Sequence, residues 1–397
     1  MLRRELLLAP AVLLSGAPLK RVAGIVTEYR HWSHADVILG RILGGYSANN
    51  QHQQSRCKLV SLYTDQVPAN TDMSRDFASR FGFRIYPTIR EALTLGGQRL
   101  AVDAVVFVGE HGKYPTNELG QHLYPRFELF SQILDVYESS GRVVPTFFDK
   151  HLSYSWEKAK TIYDRAKKLN LPWMAGSSIP VTIRTPVLEI PLNTPIAMAA
   201  GVGYGPHDAY GFHLLESMQC MLERRSGGET GIASVEWIAG DAVWTWLSGE
   251  GKWSRPLIDE AMRRNPRKEA AALEKEAKNP VLFHLQYKDG LRAAGLIVGP
   301  SGAEWTFSMR RKEGAAIEST FFGLPQPGRP LPHFDGLVRC IDEMFVTGKP
   351  VYPVERTLLT TGALAFLFES KRRGTRVETP ELAIRYQSPK ELWFQRA

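Results

Sequence analysis

An acid, a lysine and a histidine stand side by side at Asp149, Lys150 and His151. They follow the apolar run Arg142-Val143-Val144-Pro145-Thr146-Phe147-Phe148, which reads as a buried strand of a parallel sheet. After them, Ser155 to Lys168 places Trp156, Ala159, Ile162, Tyr163 and Ala166 at helical spacing. The three groups therefore sit at the carboxyl end of a strand, where open α/β sheets bind ligands. A lysine there can donate a proton to a developing alkoxide or polarise it, and desolvation lowers its pKa. The competing reading is a hydrated loop with ordinary charges.

A second candidate is His213 with Glu216, at i and i+3 of a helical stretch, where a carboxylate beside an imidazole would fix its tautomer and raise its basicity. The glycine-punctuated loop ahead of it, Gly201 to Gly211, carries Tyr204, His207, Asp208 and Tyr210. Other strand ends gather Glu28, His31 and His34, then Glu110 and His111, beside Asp149 and His151. Imidazoles and carboxylates converging there could hold a divalent cation, but no segment has a metal motif, so no metal site is assigned. Tyr114, Tyr154, Ser177 and Ser178 could bond sugar hydroxyls, and Trp244, Trp246 and Trp253 could stack on a sugar, form core or make a subunit contact.

The 397 residues suggest two or three domains, and 44% hydrophobic with 23% charged residues is ordinary for a globular chain. The net charge of +8 is scattered, with no recognition helix or RNA-binding aromatic signature, so no nucleic-acid partner is expected. Cys57, Cys220 and Cys340 have no metal-ligand spacing and are too few for a disulfide framework. Arg3-Arg4, the apolar run Leu6 to Leu14 and the small residues Ser15-Gly16-Ala17 resemble a twin-arginine export signal, which implies a periplasmic protein; the alternative is an amphipathic N-terminus and a cytoplasmic one. No later stretch has the length and apolarity of a membrane span.

Three divisions follow: 1–20 as the signal segment, 21–185 as a Rossmann-like domain and 186–397 as an α+β domain for substrate binding and oligomerisation. In the first domain, strands at 22–26, 58–63, 83–86, 103–108, 142–148 and 173–176 alternate with helices at 34–43, 74–81, 125–139 and 155–168. That alternation gives a parallel sheet with helices on both faces. In the second, strands at 232–239, 242–246, 281–288, 291–298, 304–311 and 316–322 form an open, mostly antiparallel sheet with helices on one face. A charged helix at 256–278 interrupts them, and two helices, 334–346 and 354–371, close the chain.

This order resembles the Gfo/Idh/MocA oxidoreductases. Asp149-Lys150-His151 stands where that family has Glu-Lys-Pro, and Phe81-Gly82-Phe83-Arg84-Ile85-Tyr86 with Ile89-Arg90-Glu91-Ala92-Leu93 resembles the segment around its fourth strand. Gly211-Phe212-His213-Leu214-Leu215-Glu216 resembles its catalytic-histidine helix, and Gly348-Lys349-Pro350 with Glu355-Arg356-Thr357 resembles its ending. The resemblance implies an oxidoreductase for a sugar or polyol derivative with NAD or NADP, assembled as a homo-oligomer through the second-domain sheet. His213 would move a hydroxyl proton and Lys150 would hold the oxygen, with Asp149 and Glu216 assisting. Thr27, Arg30, Ser33, Asp65, Gly109 and Glu110 would meet the cofactor; His111, His151, Tyr154, Tyr204 and Asp208 would meet the substrate. Two departures open alternatives. The first turn, Thr27-Glu28-Tyr29-Arg30-His31-Trp32-Ser33-His34, has none of the glycines that let pyrophosphate approach, and the family's catalytic aspartate falls on Ala209. The rivals are a cofactor-independent or metal-assisted sugar lyase or epimerase, and a non-catalytic sugar-binding protein.

Overall fold

A computed structural model describes residues 18–48, 51–265, 277, 279–299, 304–323 and 331–395. The export-signal stretch up to residue 17 and most of the expected helix beyond residue 265 lie outside them. The alternating half forms one parallel sheet. Its strands are β1 (Lys20–Glu28), β4 (Cys57–Gln66), β5 (Arg84–Ile85), β6 (Ala104–Val108), β7 (Thr146–Asp149) and β8 (Trp173–Gly176), with a small hairpin, β2 (Tyr46–Ala48) and β3 (Gln51–Gln53), apart from it. The helices between them are α1 (His34–Gly44), α2 (Ser74–Phe81), α3 (Ile89–Thr94), α4 (Arg126–Ser140) and α5 (Trp156–Lys168). Strand order is β5-β4-β1-β6-β7-β8. The chain steps outward from β1 to β4 and then crosses to β6, so the switch point lies between the ends of β1 and β6. The strand expected over 142–148 begins only at Thr146, because Pro145 precedes it and the segment 142–145 is outside the ladder.

The second sheet has eight strands in the order β16-β11-β12-β13-β10-β14-β15-β9. These are β9 (Ile183–Thr185), β10 (Ile196–Gly203), β11 (Ile232–Ala239), β12 (Val281–Tyr287), β13 (Arg292–Ile297), β14 (Trp305–Arg311), β15 (Ile317–Gly323) and β16 (Val377–Glu378). Only β10 and β13 pair in parallel. The central strand β10 has no strand-like pattern, since Ile196-Ala197-Met198-Ala199-Ala200-Gly201-Val202-Gly203 is mostly small. The reason is α6 (Ala209–Leu222), which lies so close that a Cβ on Gly201 would stand 2.8 Å from the Met218 side chain.

The segment 242–246 is helical rather than a strand. Within α7 (Asp241–Ser248) the buried residues are Val243, Trp246 and Leu247, a helical spacing that overrides the strand preference of valine and tryptophan. With α8 (Arg255–Arg264), α7 packs Leu257, Ile258 and Trp246 against Ala200, Val202 and Leu296, on the sheet face turned away from α6. Trp246 is therefore core, and helices lie on both faces of this sheet.

The last two helices divide their work. α9 (His333–Thr347) returns to the first sheet, where Phe334, Leu337, Ile341 and Phe345 join Val22, Ile38 and Leu59 in one core. Each such buried side chain contributes roughly 1.5–3 kcal/mol. Asp342 fixes the contact by accepting from Ser55 Oγ at 2.7 Å and Arg56 Nε at 2.8 Å. α10 (Glu355–Arg373) packs on α5, α6 and β11 and so spans both halves. No helix among the described residues is long and apolar enough to cross a membrane. The three cysteines are free and buried.

Candidate active site

At the end of β6, Glu110 turns its buried carboxylate toward two cations. Arg126 Nη2 donates to one oxygen at 2.5 Å and Lys150 Nζ to the other at 3.1 Å. Burial pushes this carboxyl up, but Lys150 and Arg126 override it and hold it well below the usual carboxylate range. Gly109 makes the arrangement possible: a Cβ there would stand 2.7 Å from the Arg126 side chain. Arg126 had no sequence signal, because it opens a helix with the look of any surface arginine.

Lys150 acts on His213 and His111, and these two form one electrostatically linked group with His34 and His333. His213 comes from α6, and its Nδ1 meets Ser177 Oγ at 2.5 Å. Burial, then the charges of Lys150 and His34, hold it well below the usual imidazole range, so it is neutral. His34 opens α1 behind the Ser33 cap, and its Nδ1 lies 2.7 Å from Asp149 Oδ2. The His34 ring meets His111 edge-on at 5.1 Å and Phe334 at 5.0 Å. His111 and His333 are both lowered to about 3, first by burial and next by the neighbouring His34. His111 Nε2 and His333 Nδ1 are buried with no hydrogen-bond partner among the described residues. Lys150 is 2% exposed and His213 7%, so the cluster is nearly sealed. Among the described residues no group of three or more His, Cys, Asp or Glu could hold a metal ion.

Several expected partners are elsewhere. Glu216 does not bond to His213. Its carboxylate accepts from the Ser177 N–H at 2.7 Å, Thr357 Oγ1 at 2.6 Å and Thr360 Oγ1 at 3.3 Å, and burial pushes its pKa up. Tyr204 faces the α7 and α8 side of the second sheet, where its hydroxyl reaches Met262 Sδ at 3.8 Å, away from α6. Period-two alternation along β10 decides this. Tyr154 accepts from Lys158 Nζ at 2.9 Å. His151 donates from Nδ1 to the Ser153 carbonyl at 2.8 Å, and its Nε2 lies 3.5 Å from Asp208, which also accepts from the His122 N–H. Asp208 thus serves His151 rather than His213.

The first turn tests the expected cofactor. Thr27 donates its hydroxyl to the Glu110 carbonyl at 2.7 Å. Arg30 N–H donates to Ser33 Oγ at 3.2 Å, Ser33 N–H to the Arg30 carbonyl at 3.0 Å, and Trp32 N–H to Asp36 at 2.9 Å. The Arg30 guanidinium lies on Glu28, at 2.5 Å, and on His111. Tyr29, in the same glycine-free turn, is wholly buried against Phe77. Asp65 already accepts from Tyr63 at 3.0 Å and Tyr114 at 2.6 Å. A pyrophosphate here would meet spent donors and the carboxylates of Glu28 and Asp36, so these residues do not fit a dinucleotide in that pose.

No family model and no curated protein matches the sequence. Solved structures do match. Apo scyllo-inositol dehydrogenase from Lactobacillus casei superposes with a TM-score of 0.56 at 12% identity, over 91% of this chain and 99% of that one. GenD2 from gentamicin A biosynthesis, crystallised with NAD, gives 0.57 at 14% identity, over 94% and 99%. The super-repressor mutant of Gal80p from Saccharomyces cerevisiae gives 0.54 at 11% identity, over 93% and 100%. The chain therefore carries the two-domain fold of the Gfo/Idh/MocA-type proteins.

Proposed function

We propose that the chain is an acid–base enzyme for a sugar or polyol derivative that bears a carbonyl group, working without net oxidation. The observation that carries this reading is the buried cluster in which the Lys150 ammonium, anchored by Glu110, shares one site with neutral His213 and the His34–Asp149 pair. Removal of a proton beside a carbonyl leaves negative charge on oxygen, and a desolvated ammonium stabilises that charge far more than water-exposed groups do. An imidazole in reach of the adjacent carbon completes an epimerase-, isomerase- or lyase-type site. Binding would draw on the polar groups already clustered there, among them His111 Nε2 and His333 Nδ1, which have no partner among the described residues. The test is incubation with a panel of aldoses, ketoses and uronic acids in D2O, followed by proton NMR. Loss of the signal beside the carbonyl is expected; a flat result across the panel rejects the reading.

A second reading, an NAD- or NADP-dependent oxidoreductase using Lys150 and His213, is favoured by the fold shared with proteins solved with NAD(H). Against it stands the closed first turn. Calorimetric titration with both cofactors separates the two, and the first reading expects no saturable heat. Export remains part of the proposal on the strength of Arg3-Arg4 and the apolar run after it, and fractionation of producing cells tests it.

A further inference from the structure

The hydrogen bonds around His34 and His213 determine where each keeps its proton. Asp149 is 2% exposed on its side chain, and as a carboxylate it can only accept. The proton on the 2.7 Å contact therefore belongs to His34 Nδ1, and in the neutral ring the lone pair falls on Nε2. At His213 the logic runs the other way. The Ser177 oxygen accepts the Ile179 N–H at 3.0 Å. Its hydroxyl, on a residue 3% exposed, has one acceptor within reach among the described residues, which is His213 Nδ1 at 2.5 Å. Leaving that hydroxyl proton unbonded would cost roughly 1–3 kcal/mol. So His213 Nδ1 accepts, and as a neutral imidazole it carries its proton on Nε2, for which the described residues offer no partner. One ring offers a lone pair and the other an N–H, and both belong to the charged group around Glu110, which Lys150 and His34 each hold ionised.

We propose that His34, held by Asp149, is the general base of this site, and that His213 is a neutral hydrogen-bond donor to the substrate oxygen. The substrate class that fits is an α-hydroxy carbonyl sugar. This assignment rests on the acid–base reading above. His34 Nε2 takes the proton from the carbon beside the carbonyl. The C–H electron pair becomes the carbon–carbon double bond, and the carbonyl π pair moves onto oxygen. That enediolate oxygen receives the His213 N–H and the Lys150 ammonium. The Asp149 carboxylate balances the imidazolium formed on His34, as a positioning residue. Return of the proton from His34 to the carbon it left restores the carbonyl compound and the resting enzyme. Return to the neighbouring carbon moves the carbonyl once the hydroxyl proton has passed to the former carbonyl oxygen, a transfer the Lys150 ammonium can relay by giving one proton and taking the other, so no oxidant or reductant is needed. The sequence gives His213 the base role by resemblance; the bonding of Ser177 reverses it.

Nitrogen-15 NMR of the intact, histidine-labelled protein tests the proton inventory without any substitution. A proton on His34 Nδ1 and on His213 Nε2 is expected; a His213 proton on Nδ1 overturns its donor role. Asp149→Asn should move the His34 tautomer. In the D2O exchange assay, His34→Gln should lose about a hundredfold or more, while His213→Gln, which keeps an N–H donor, should lose less. A folded His34→Gln that exchanges at the wild-type rate sinks the base assignment and leaves the acid–base reading intact. Wild type that exchanges no sugar of the panel sinks that reading instead, and the NMR result then decides the inventory on its own.

Discussion

At the β1–α1 turn the groups that would meet a pyrophosphate end on neighbours: the N–H groups of Arg30, Trp32 and Ser33, the Thr27 hydroxyl and the Arg30 guanidinium, while the buried Tyr29 hydroxyl alone among the turn's buried side-chain groups has no partner among the described residues. Close by, His111 Nε2 beyond β6 and His333 Nδ1 at the start of α9 are buried with no partner among the described residues, and a lysine and an arginine share one carboxylate. Stability alone favours the first arrangement, because a buried polar group without a partner costs free energy. The second persists when a ligand supplies what the protein withholds. The comparison separates a corner that has closed on itself from one kept ready, although both lie at the carboxyl edge of the same sheet.

The sharpest way to break this comparison is at Lys150. Lys150→Met keeps the stem and removes the ammonium, and Arg126 still holds Glu110. Turnover should fall about a hundredfold to ten-thousandfold with the circular dichroism spectrum unchanged. Unaltered turnover in a folded variant would make the ready corner structural.

Gly176 comes next. Its φ is +119°, and a Cβ would stand 2.5 Å from both Glu216 Oε2 and Thr357 Oγ1. Gly176→Ala should destabilise by about 2–4 kcal/mol in urea unfolding, from strain and overpacking together. Wild-type stability would mean that the support beneath Ser177 and His213 is loose.

The unbonded histidines should make the ready corner sensitive to acid. His333 falls from 6.5 to about 3 on folding, with burial as the main cause. Between those values the unfolded chain binds a proton that the folded chain does not, so stability is present above pH 6.5 and is lost as pH falls. The slope is about 1.4 kcal/mol per pH unit for each such group. His333→Gln should remove one group's share of that slope, read from urea midpoints between pH 6.5 and 4. An unchanged slope would place the acid sensitivity elsewhere.

The smallest effect belongs to the closed corner. Tyr114→Phe removes one of the two hydroxyls on Asp65 and should cost about 1 kcal/mol. Dinucleotide titration should stay flat, since the turn's donors remain spent. New saturable binding would show that Asp65 alone had kept the cofactor out.

Much of the frame was legible in advance. The helices at 34–43, 74–81 and 155–168 stand where they were expected, the last through its apolar spacing, and Asp149-Lys150-His151 was marked by its place after a strand. Strand β10 was not legible, because its small residues answer to Met218 and Leu214 across the layer rather than to their own neighbours. Helix α7 was misjudged because burial at 243, 246 and 247 outweighed local propensity. At the site, Lys150 and His213 were singled out as a pair, and the fold brings them within electrostatic reach of each other, whereas Arg126 and His333 carried no signal. Both arrive through contacts distant in sequence, one from the start of α4 and one from α9.

By itself the sequence determined the two kinds of sheet, the strand ends that carry chemistry and the lack of glycine in the first turn, because periodicity and backbone freedom are local properties of a chain. Which groups bond to which was decided only by the tertiary structure. Glu216 beside His213 in sequence turns to Ser177, Thr357 and Thr360, while His34, far from Asp149, meets it at 2.7 Å. Hydrogen bonds and charges act over a few ångströms, so the protonation and role of each group follow from neighbours in space, which only the folded chain assembles.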